Sequence, residues 1–141
     1  MEVRFPNGVV VRANGIEKRT ANKDWRSFGL YLDDRWAPDW AAVLVRWPDF
    51  GLPENWAETA NAIQNAYARA AAGERVEIGC AGGLGRTGTV LACMAVLSGV
   101  AASDAVNWVR TQYDRRAVET DEQASWVNWF SGHLNGDCST S

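Results

Sequence analysis

Long hydrophobic runs and excess positive charge are both missing from this sequence. No stretch of about 18 consecutive apolar residues exists, and residues 1–6 lack the features of a signal peptide. The formal net charge is −3, whereas surfaces that bind nucleic acid or anionic membranes are usually basic. We therefore expect a cytoplasmic protein with neither a nucleic acid nor a membrane as its partner.

Cysteine and histidine are scarce. The three cysteines, Cys80, Cys93 and Cys138, show no CxxC spacing, which argues against a disulfide framework and a zinc site. We expect free thiols and no bound metal. Cys93 falls within the apolar segment 90–97 and is predicted to be a small core residue. The single histidine, His133, lies near the C-terminal end and is expected at the surface rather than in catalysis.

Length and composition predict one globular domain. The chain has 141 residues, of which 47% are hydrophobic and 22% charged, as in ordinary globular domains. Residues 1–134 are predicted to form the domain, and the polar segment 135–141 a frayed tail. The eight tryptophans are scattered along the chain, so we expect them to serve packing. We expect the protein to be a monomer.

Hydrophobic periodicity predicts alternating strands and helices. The predicted strands are 9–11, 30–32, 42–47 and 74–78, with turns at 6–8 and 14–15. The predicted helices are 55–72, a second from Thr87 through the apolar segment 90–97, a third from Ser103 to Tyr113, and a fourth after the capping box 120–123. This order predicts an α/β fold in which a mostly parallel central sheet is flanked by helices.

A glycine-rich loop joins the fourth predicted strand to an apolar helix. Five residues separate Cys80 from Arg86, and three of them are Gly, so the backbone can curl and point several N–H groups at one anion. The N-terminus of the following helix adds free N–H groups and a positive dipole end. The predicted phosphate-binding residues are Ala81, Gly82, Gly83, Leu84, Gly85 and Arg86.

Two nucleotide-binding motifs fit this loop poorly. Residues 83–88 match GxGxxG, but a dinucleotide site also needs a strand ending in an acidic residue roughly 20 positions later. The next segment of this chain is predicted to be helical instead. A GxxxxGK[ST] loop would need Gly and Lys at the positions of Cys80 and Arg86.

Covalent phosphoryl transfer suits the residues better. The loop N–H groups and the planar Arg86 fork would bind the phosphoryl oxygens. The same donors would favour a thiolate at Cys80, which attacks phosphorus. The leaving oxygen needs an acid, and Asp49 in the turn 48–51 is a candidate. Asp in such a turn is also ordinary turn chemistry, and the local sequence leaves both interpretations of Asp49 open.

The loop 80–88 resembles the Cys-x5-Arg-Thr/Ser signature loop of the cysteine-dependent protein tyrosine phosphatase superfamily. Residues 47–54, Trp-Pro-Asp-Phe-Gly-Leu-Pro-Glu, are similar to the acid loop of that superfamily, and the two motifs follow in the family's order. The resemblance extends over roughly residues 43–130 and points to compact, dual-specificity-like members. It implies that the signature loop lies at the C-terminal end of a central strand and that no cofactor is needed.

The resemblance implies roles for five residues. Cys80 would be the nucleophile, Arg86 would bind phosphate and stabilise the transition state, and Asp49 would act first as acid and then as base. Thr87 would donate a hydrogen bond to the Cys80 sulfur. Gln123 matches a residue that positions the hydrolytic water, although its place in the capping box explains it equally well.

Two residues depart from the family pattern. Gly79 stands where the family usually has His before the nucleophile, which predicts lower activity or a shifted pH profile. Glu119 stands where the tyrosine-specific branch often carries Gln. The expected function is hydrolysis of phosphate monoesters on phosphotyrosine proteins, with phosphoserine and phosphothreonine as further substrates. The alternatives are a weakly active phosphate-binding module and a phosphatase of non-protein phosphates.

Overall fold

Strands and helices alternate along the computed structural model, which describes residues 2–15, 26–33, 38, 40–48, 50–80 and 84–134. Within these ranges the strands are β1 (Glu2–Arg4), β2 (Val10–Gly15), β3 (Phe28–Tyr31), β4 (Ala42–Leu44) and β5 (Val76–Cys80). The helices are α1 (Trp56–Ala71), α2 (Gly85–Leu97), α3 (Ala102–Gln112) and α4 (Asp121–Leu134). The predicted tail, 135–141, lies outside the described residues.

The described strands form one mixed sheet in the order β1-β2-β5-β3-β4. β1 pairs antiparallel with β2, and the remaining neighbours pair in parallel. The prediction of an α/β fold with a mostly parallel sheet is therefore confirmed. Because β5 is the central strand, the chain leaves the sheet at Cys80 between the carboxyl ends of β2 and β3. This edge of a parallel sheet is where connecting loops build binding sites.

The N-terminal strand pair corrects one predicted turn. The turn at residues 6–8 is present, and Gly8 has a φ of 93°. Residues 14–15, predicted as a second turn, instead continue β2 and pair with Gly79 and Cys80. A partner strand that is distant in the sequence outweighs the local turn preference of Asn-Gly. β1, which pairs with β2, was not predicted.

Several other boundaries also differ from the predictions. β4 ends at Leu44, earlier than predicted. α2 begins at Gly85 rather than at Thr87, so Arg86 belongs to its first turn. The predicted cap Ser103 lies inside α3 and makes no capping hydrogen bond. Boundaries follow the hydrogen-bond partners that the folded chain provides, and the side-chain pattern does not show these partners.

α2 is the central helix of the fold. Its residues from Gly85 to Ala95 are buried, as predicted for a helix that is apolar on all sides. α1 and α2 pack against the sheet, and α3 and α4 pack on α2. Cys93 lies in this core with no exposed surface, and burial raises the pKa of its thiol. The prediction that Cys93 is a core residue is confirmed.

The ends of α1 and α4 carry their own capping contacts. The side chain of Asn55 accepts a hydrogen bond from the Glu58 N–H at 3.0 Å, and Gly73 follows the C-cap of α1 with a φ of 96°. At α4 the Thr120 hydroxyl accepts from the Gln123 N–H at 3.1 Å. Both helices begin and end close to where the sequence predicted. Among the described residues, no helix is long and apolar enough to cross a membrane.

Tryptophans that are scattered in the sequence converge in one aromatic cluster. The ring centroids of Trp47 and Trp126 lie 5.4 Å apart, those of Trp56 and Trp129 5.1 Å, and those of Trp126 and Trp129 5.5 Å. His133 stacks on Trp129 at 4.8 Å near the end of α4. The cluster packs the segment after β4 against α1 and α4, which is the packing role that the sequence predicted.

A buried polar cluster surrounds Glu77 on the central strand. Glu77 is 1% exposed and accepts a hydrogen bond from Arg26 Nε at 2.8 Å. Tyr31 Oη donates to it at 2.6 Å and Asn14 Nδ2 at 3.0 Å. The ring of Trp40 lies 4.5 Å from the Arg26 guanidinium. Burial, followed by the hydrogen bond to Glu77 and its charge, raises the pKa of Tyr31.

Candidate active site

Cys80 ends β5 at the carboxyl edge of the sheet. Its side chain is buried, and the hydroxyl of Thr87 donates a hydrogen bond to its sulfur at 3.0 Å. Thr87 lies in the first turn of α2, where free N–H groups and the helix dipole favour a negative charge. The predicted contact between Thr87 and Cys80 is present, and it brings the sulfur beside the N-terminus of the helix.

Arg86 lies in the first turn of α2 and is 4% exposed. Its Nη1 donates hydrogen bonds to two backbone carbonyls, Leu32 O at 2.9 Å and Trp47 O at 2.8 Å. Leu32 follows β3, and Trp47 begins the predicted acid loop. The guanidinium is thereby held at the same edge of the sheet as Cys80, and it joins the signature loop to the acid loop.

The predicted acid loop is fixed on both sides of Asp49. Before Asp49, the carbonyl of Trp47 binds Arg86. After it, Gly51 O accepts hydrogen bonds from Trp47 Nε1 at 2.8 Å and from Gln123 Nε2 at 3.2 Å. Asp49 itself lies outside the described residues, and its roles as acid and base stay predictions.

Phe50, directly after Asp49, has an uncommon backbone conformation. Its φ is 59°, and its side chain is 61% exposed. A bulky residue in this region stores roughly 1–3 kcal/mol of strain and persists only where the surroundings enforce it, often at functional sites. The exposed ring belongs to the residue that directly follows the predicted acid in the sequence.

The end of the signature loop lies at the start of α2. Leu84 is the N-cap residue and Gly85 the first helical residue, and no side chain in the described part of the chain caps this end. The Thr89 hydroxyl donates to Gly85 O at 2.7 Å. Residues 81–83, predicted to bind phosphate, lie outside the described residues. The phosphate contacts of the loop stay predictions.

Gln123 is fully buried and uses both ends of its amide. Its Oε1 accepts a hydrogen bond from the Glu119 N–H at 2.9 Å, and its Nε2 donates to Gly51 O at 3.2 Å. The side chain therefore joins the segment before α4 to the acid loop. Its main chain also makes the predicted capping contact with Thr120. The assignment of Gln123 to positioning a water stays a prediction.

Two further residues at this site were not predicted as functional. The carboxylate of Glu119 lies directly against Gly85, because a Cβ on Gly85 would overlap Oε1 and lie 2.6 Å from Cδ. Burial raises the pKa of Tyr113, and electrostatic interactions with Cys80 and Asp114 raise it further, so the phenol lies within electrostatic reach of Cys80. In the sequence, the spacing of apolar residues had placed Tyr113 only on the apolar face of the third predicted helix. For Glu119, the one signal was the acidic residue in place of Gln.

These features are the ones that the resemblance to cysteine-based phosphatases predicted. A buried cysteine ends the central parallel strand, and an arginine and a hydroxyl residue in the following helix lie at the same edge. A family model described as "Swiss Army Knife protein, DSP-PTPase phosphatase domain" matches residues 40–127. The chain belongs to this family of phosphatase domains.

Two archaeal proteins are similar in sequence. "Uncharacterized protein MJ0215" of Methanocaldococcus jannaschii is 35% identical over 109 residues, which cover 70% of this chain and 66% of that protein. "Uncharacterized protein MJECL20" of the same organism is 35% identical over 110 residues, which cover 70% of this chain and 71% of that protein. The chain thus spans about two thirds of the length of the first relative.

Solved phosphatase structures share the fold. Tk-PTP in its active form is 25% identical with a TM-score of 0.71, covering 92% of this chain and 95% of that chain. Human DUSP28 is 15% identical with a TM-score of 0.69, covering 96% and 99% of the two chains. PTPMT1 is 13% identical with a TM-score of 0.72 over the full length of both. The last two likenesses concern the fold alone.

Proposed function

We propose that this protein hydrolyses phosphate monoesters on phosphotyrosine proteins through a phosphocysteine at Cys80. The observation that carries the proposal is the 3.0 Å hydrogen bond from the Thr87 hydroxyl to the Cys80 sulfur. A donor aimed at sulfur stabilises the thiolate, both when it attacks and when it departs. Cys93, in contrast, lies in the apolar core, where burial disfavours its thiolate.

The first chemical step transfers the phosphoryl group to the protein. The Cys80 sulfur attacks phosphorus, the P–O bond to the tyrosine breaks, and its electron pair leaves with the tyrosine oxygen. Asp49 would give this oxygen a proton. The guanidinium of Arg86 and the N–H groups of the signature loop would bind the three remaining phosphoryl oxygens and stabilise their charge.

The second step hydrolyses the phosphocysteine. A water oxygen attacks phosphorus, the P–S bond breaks, and the electron pair returns to Cys80 as a thiolate. The Thr87 hydroxyl, already bonded to this sulfur, lowers the energy of the departing thiolate. Inorganic phosphate then leaves the loop.

Two features support an aromatic monoester as substrate. The exposed ring of Phe50 stands next to the predicted acid, where it would contact the ring of a phosphotyrosine. Residues 81–85 of the signature loop contain no lysine or arginine that would bind a second phosphate group. The proposed substrate therefore carries one phosphate on an aromatic oxygen.

The proposal is tested by turnover of p-nitrophenyl phosphate. We expect the wild type to release nitrophenol and Cys80→Ser to lose this release. Cys93→Ala is the matched control, because Cys93 is the other buried cysteine of the described chain, and it should keep the activity. If the wild type releases nothing while Cys80→Ser binds a phosphotyrosine peptide as tightly as the wild type, the protein is a phosphate-binding module instead.

Substrate class is tested by comparing kcat/KM across phosphate esters. The panel contains phosphotyrosine, phosphoserine and phosphothreonine peptides, a sugar phosphate and PI(5)P. The last is included because PTPMT1, crystallised with PI(5)P, shares this fold at a TM-score of 0.70 and 13% identity. We expect kcat/KM for the phosphotyrosine peptide to exceed the others by at least about tenfold. A higher value for the sugar phosphate or PI(5)P would contradict the protein substrate.

A further inference from the structure

The backbone directly before Glu119 is strained. Val118 has a φ of 60°, in the left-handed region that β-branched residues rarely adopt. Its side chain is 1% exposed, so this conformation belongs to the packed interior. Strain of this kind persists where surrounding contacts enforce it, and it is concentrated at functional sites.

Two side chains hold the segment 117–119 in place. Arg110 Nε donates a hydrogen bond to Ala117 O at 2.9 Å, and its Nη2 donates to Val118 O at 2.7 Å. Gln123 Oε1 accepts a hydrogen bond from the Glu119 N–H at 2.9 Å. These three bonds fix the direction in which the Glu119 side chain leaves the backbone.

Two glycines allow the segment to reach the first turn of α2. A Cβ on Gly88 would lie 2.6 Å from the Cβ of Ala117 and 3.0 Å from the backbone nitrogen of Val118. A Cβ on Gly85 would overlap the Glu119 carboxylate. Positions 85 and 88 are three residues apart and lie on one face of the helix. A side chain at 88 would therefore push the segment away, and one at 85 would displace the Glu119 carboxylate. One exposed carboxylate is thereby brought against Gly85, the first residue of α2.

We propose that Glu119 is the base that activates the hydrolytic water in the second chemical step, a role that rests on the proposed function. Gly85 is one of the residues predicted to bind the phosphoryl group on Cys80, so the Glu119 carboxylate lies beside that predicted site. A carboxylate and a phosphoryl group repel each other at short range. A water between them removes this conflict, because it donates one hydrogen to the carboxylate and presents its oxygen to phosphorus.

One O–H bond of the water breaks and its proton passes to a Glu119 carboxylate oxygen, while the water oxygen forms the new bond to phosphorus. The P–S bond breaks, and its electron pair leaves on the Cys80 sulfur. Inorganic phosphate carries away the second water hydrogen, and Glu119 returns its proton to solvent or to the phosphate.

A glutamate at position 119 can do chemistry that an amide side chain at the same position cannot. An amide side chain can orient a water by hydrogen bonds, but it cannot accept a proton at neutral pH. A carboxylate can do both. The family resemblance gives both proton transfers to Asp49. With Glu119 present, the acid of the first step and the base of the second are different groups, on segments joined by the Gln123 amide.

Pre-steady-state kinetics with p-nitrophenyl phosphate test this assignment. In Glu119→Gln we expect a rapid burst of about one nitrophenol per enzyme, followed by a steady state at least about 100-fold slower than that of the wild type. The burst reports the first step, which the variant leaves intact. Acid quenching during the steady state should trap phosphorylated Cys80, seen as a mass increase of the peptide that contains it.

Two further variants separate a chemical role from a structural one. Glu122→Gln is the matched control, because Glu122 is also an exposed carboxylate and lies in the first turn of α4. Its burst and its steady state should equal those of the wild type. Glu119→Asp keeps the carboxylate, and it should recover part of the steady-state rate. If Glu119→Gln fails to fold, Gly85→Ala displaces the carboxylate instead, and it should also accumulate phosphorylated Cys80.

The outcomes distinguish this inference from the proposed function. If the wild type turns over and Glu119→Gln has the wild-type steady-state rate, Glu119 is not the base, and the proposed function stands. The same conclusion follows if the variant slows the burst as much as the steady state, since the residue then acts in the first step. Absence of any turnover by the wild type would overturn the proposed function and this inference with it.

Discussion

Two glutamates near the nucleophile occupy opposite environments. Glu77 lies on the same strand as Cys80, is 1% exposed, and is paired with Arg26 at 2.8 Å. Glu119 is exposed at the end of a strained segment and lies against Gly85. Glu77 is buried and paired with Arg26, whereas the Glu119 side chain is exposed and reaches the first turn of α2. The first carboxylate stabilises the fold, and the second is the one proposed to take part in proton transfer.

The two regions also differ in what they contribute to the free energy of unfolding. In the Glu77 cluster, several donors satisfy one buried acceptor, and loss of any of them leaves a polar group unpaired. The segment 117–119 holds a β-branched residue at positive φ, which costs roughly 1–3 kcal/mol. Substitutions in the first region should therefore lower stability, and substitutions in the second should change the kinetics.

The largest expected change in stability follows Arg26→Met. This variant leaves the Glu77 carboxylate buried without its cation, which should lower the free energy of unfolding by about 3–5 kcal/mol. Urea denaturation measures the change. Arg46→Met is the control, because the ion pair of Arg46 with Glu54 is 66% and 56% exposed and contributes less than about 1 kcal/mol. Equal losses in the two variants would contradict the structural role assigned to the Glu77 cluster.

Gly88→Ala should have the next largest effect. The new methyl group would lie 2.6 Å from the Cβ of Ala117 and 3.0 Å from backbone atoms, so the segment 117–119 must move. We expect a loss of about 1–3 kcal/mol in denaturation experiments. We also expect the accumulation of phosphorylated Cys80 described for Glu119→Gln. Normal turnover in a variant that has lost this stability would show that the placement of Glu119 is irrelevant.

Alkaline pH should destabilise the protein through two buried tyrosines. The pKa values of Tyr31 and Tyr113 are raised above 10.0, in each case mainly by burial. Below pH 10.0 both phenols are protonated in the folded and in the unfolded chain. Above pH 10.0 the unfolded chain loses these protons while the folded chain keeps them, until the pH reaches the folded pKa. Above pH 10.0 the free energy of unfolding should fall by about 1.4 kcal/mol per pH unit for each tyrosine.

Tyr31 belongs to the Glu77 cluster, and Tyr113 lies within electrostatic reach of Cys80. Denaturation at several pH values between about 10 and 11 gives the decrease in the free energy of unfolding per pH unit. Tyr31→Phe and Tyr113→Phe should each make this decrease smaller by about 1.4 kcal/mol. Tyr31→Phe should also lower stability at neutral pH, because it removes the hydrogen bond to Glu77. An unchanged slope in both variants would mean that other groups cause the alkaline loss.

The smallest expected effect on stability is that of Gly85→Ala. The added methyl group overlaps only the far end of the Glu119 side chain, which can rotate away, so the free energy of unfolding should change by less than about 1 kcal/mol. The kinetic effect should be larger. In a Glu119→Gln background, Gly85→Ala should slow dephosphorylation no further, since both changes remove the same contact. Additive slowing in the double variant would show that Gly85 acts through another group.

The sequence predicted those residues of the site whose side-chain type the proposed reaction requires. Cys80, Arg86 and Thr87 lie within one short segment, and each has a chemical requirement that few other residue types meet. The acid loop was found because Trp47 and its neighbours form a second motif. The mostly parallel sheet was predicted because strands alternate with helices along the chain. This alternation can be read from the spacing of apolar residues within each segment.

Features that depend on distant partners were not predictable in this way. Asn14 and Gly15 favour a turn locally, but they continue β2 because β5 offers them hydrogen bonds. The approach of Glu119 to Gly85 depends on Arg110 and on the strained backbone of Val118, neither of which has a sequence signature. Long-range pairing and enforced strain are properties of the folded chain as a whole.

The carbonyl of Gly51 offers a way to follow movement of the predicted acid loop. It accepts hydrogen bonds from Trp47 Nε1 and Gln123 Nε2 at once, so a displacement of this carbonyl breaks both bonds together. The indole of Trp47 lies 5.4 Å from that of Trp126, and its fluorescence would report the displacement without any attached label. The chain thus contains its own optical probe of the acid loop.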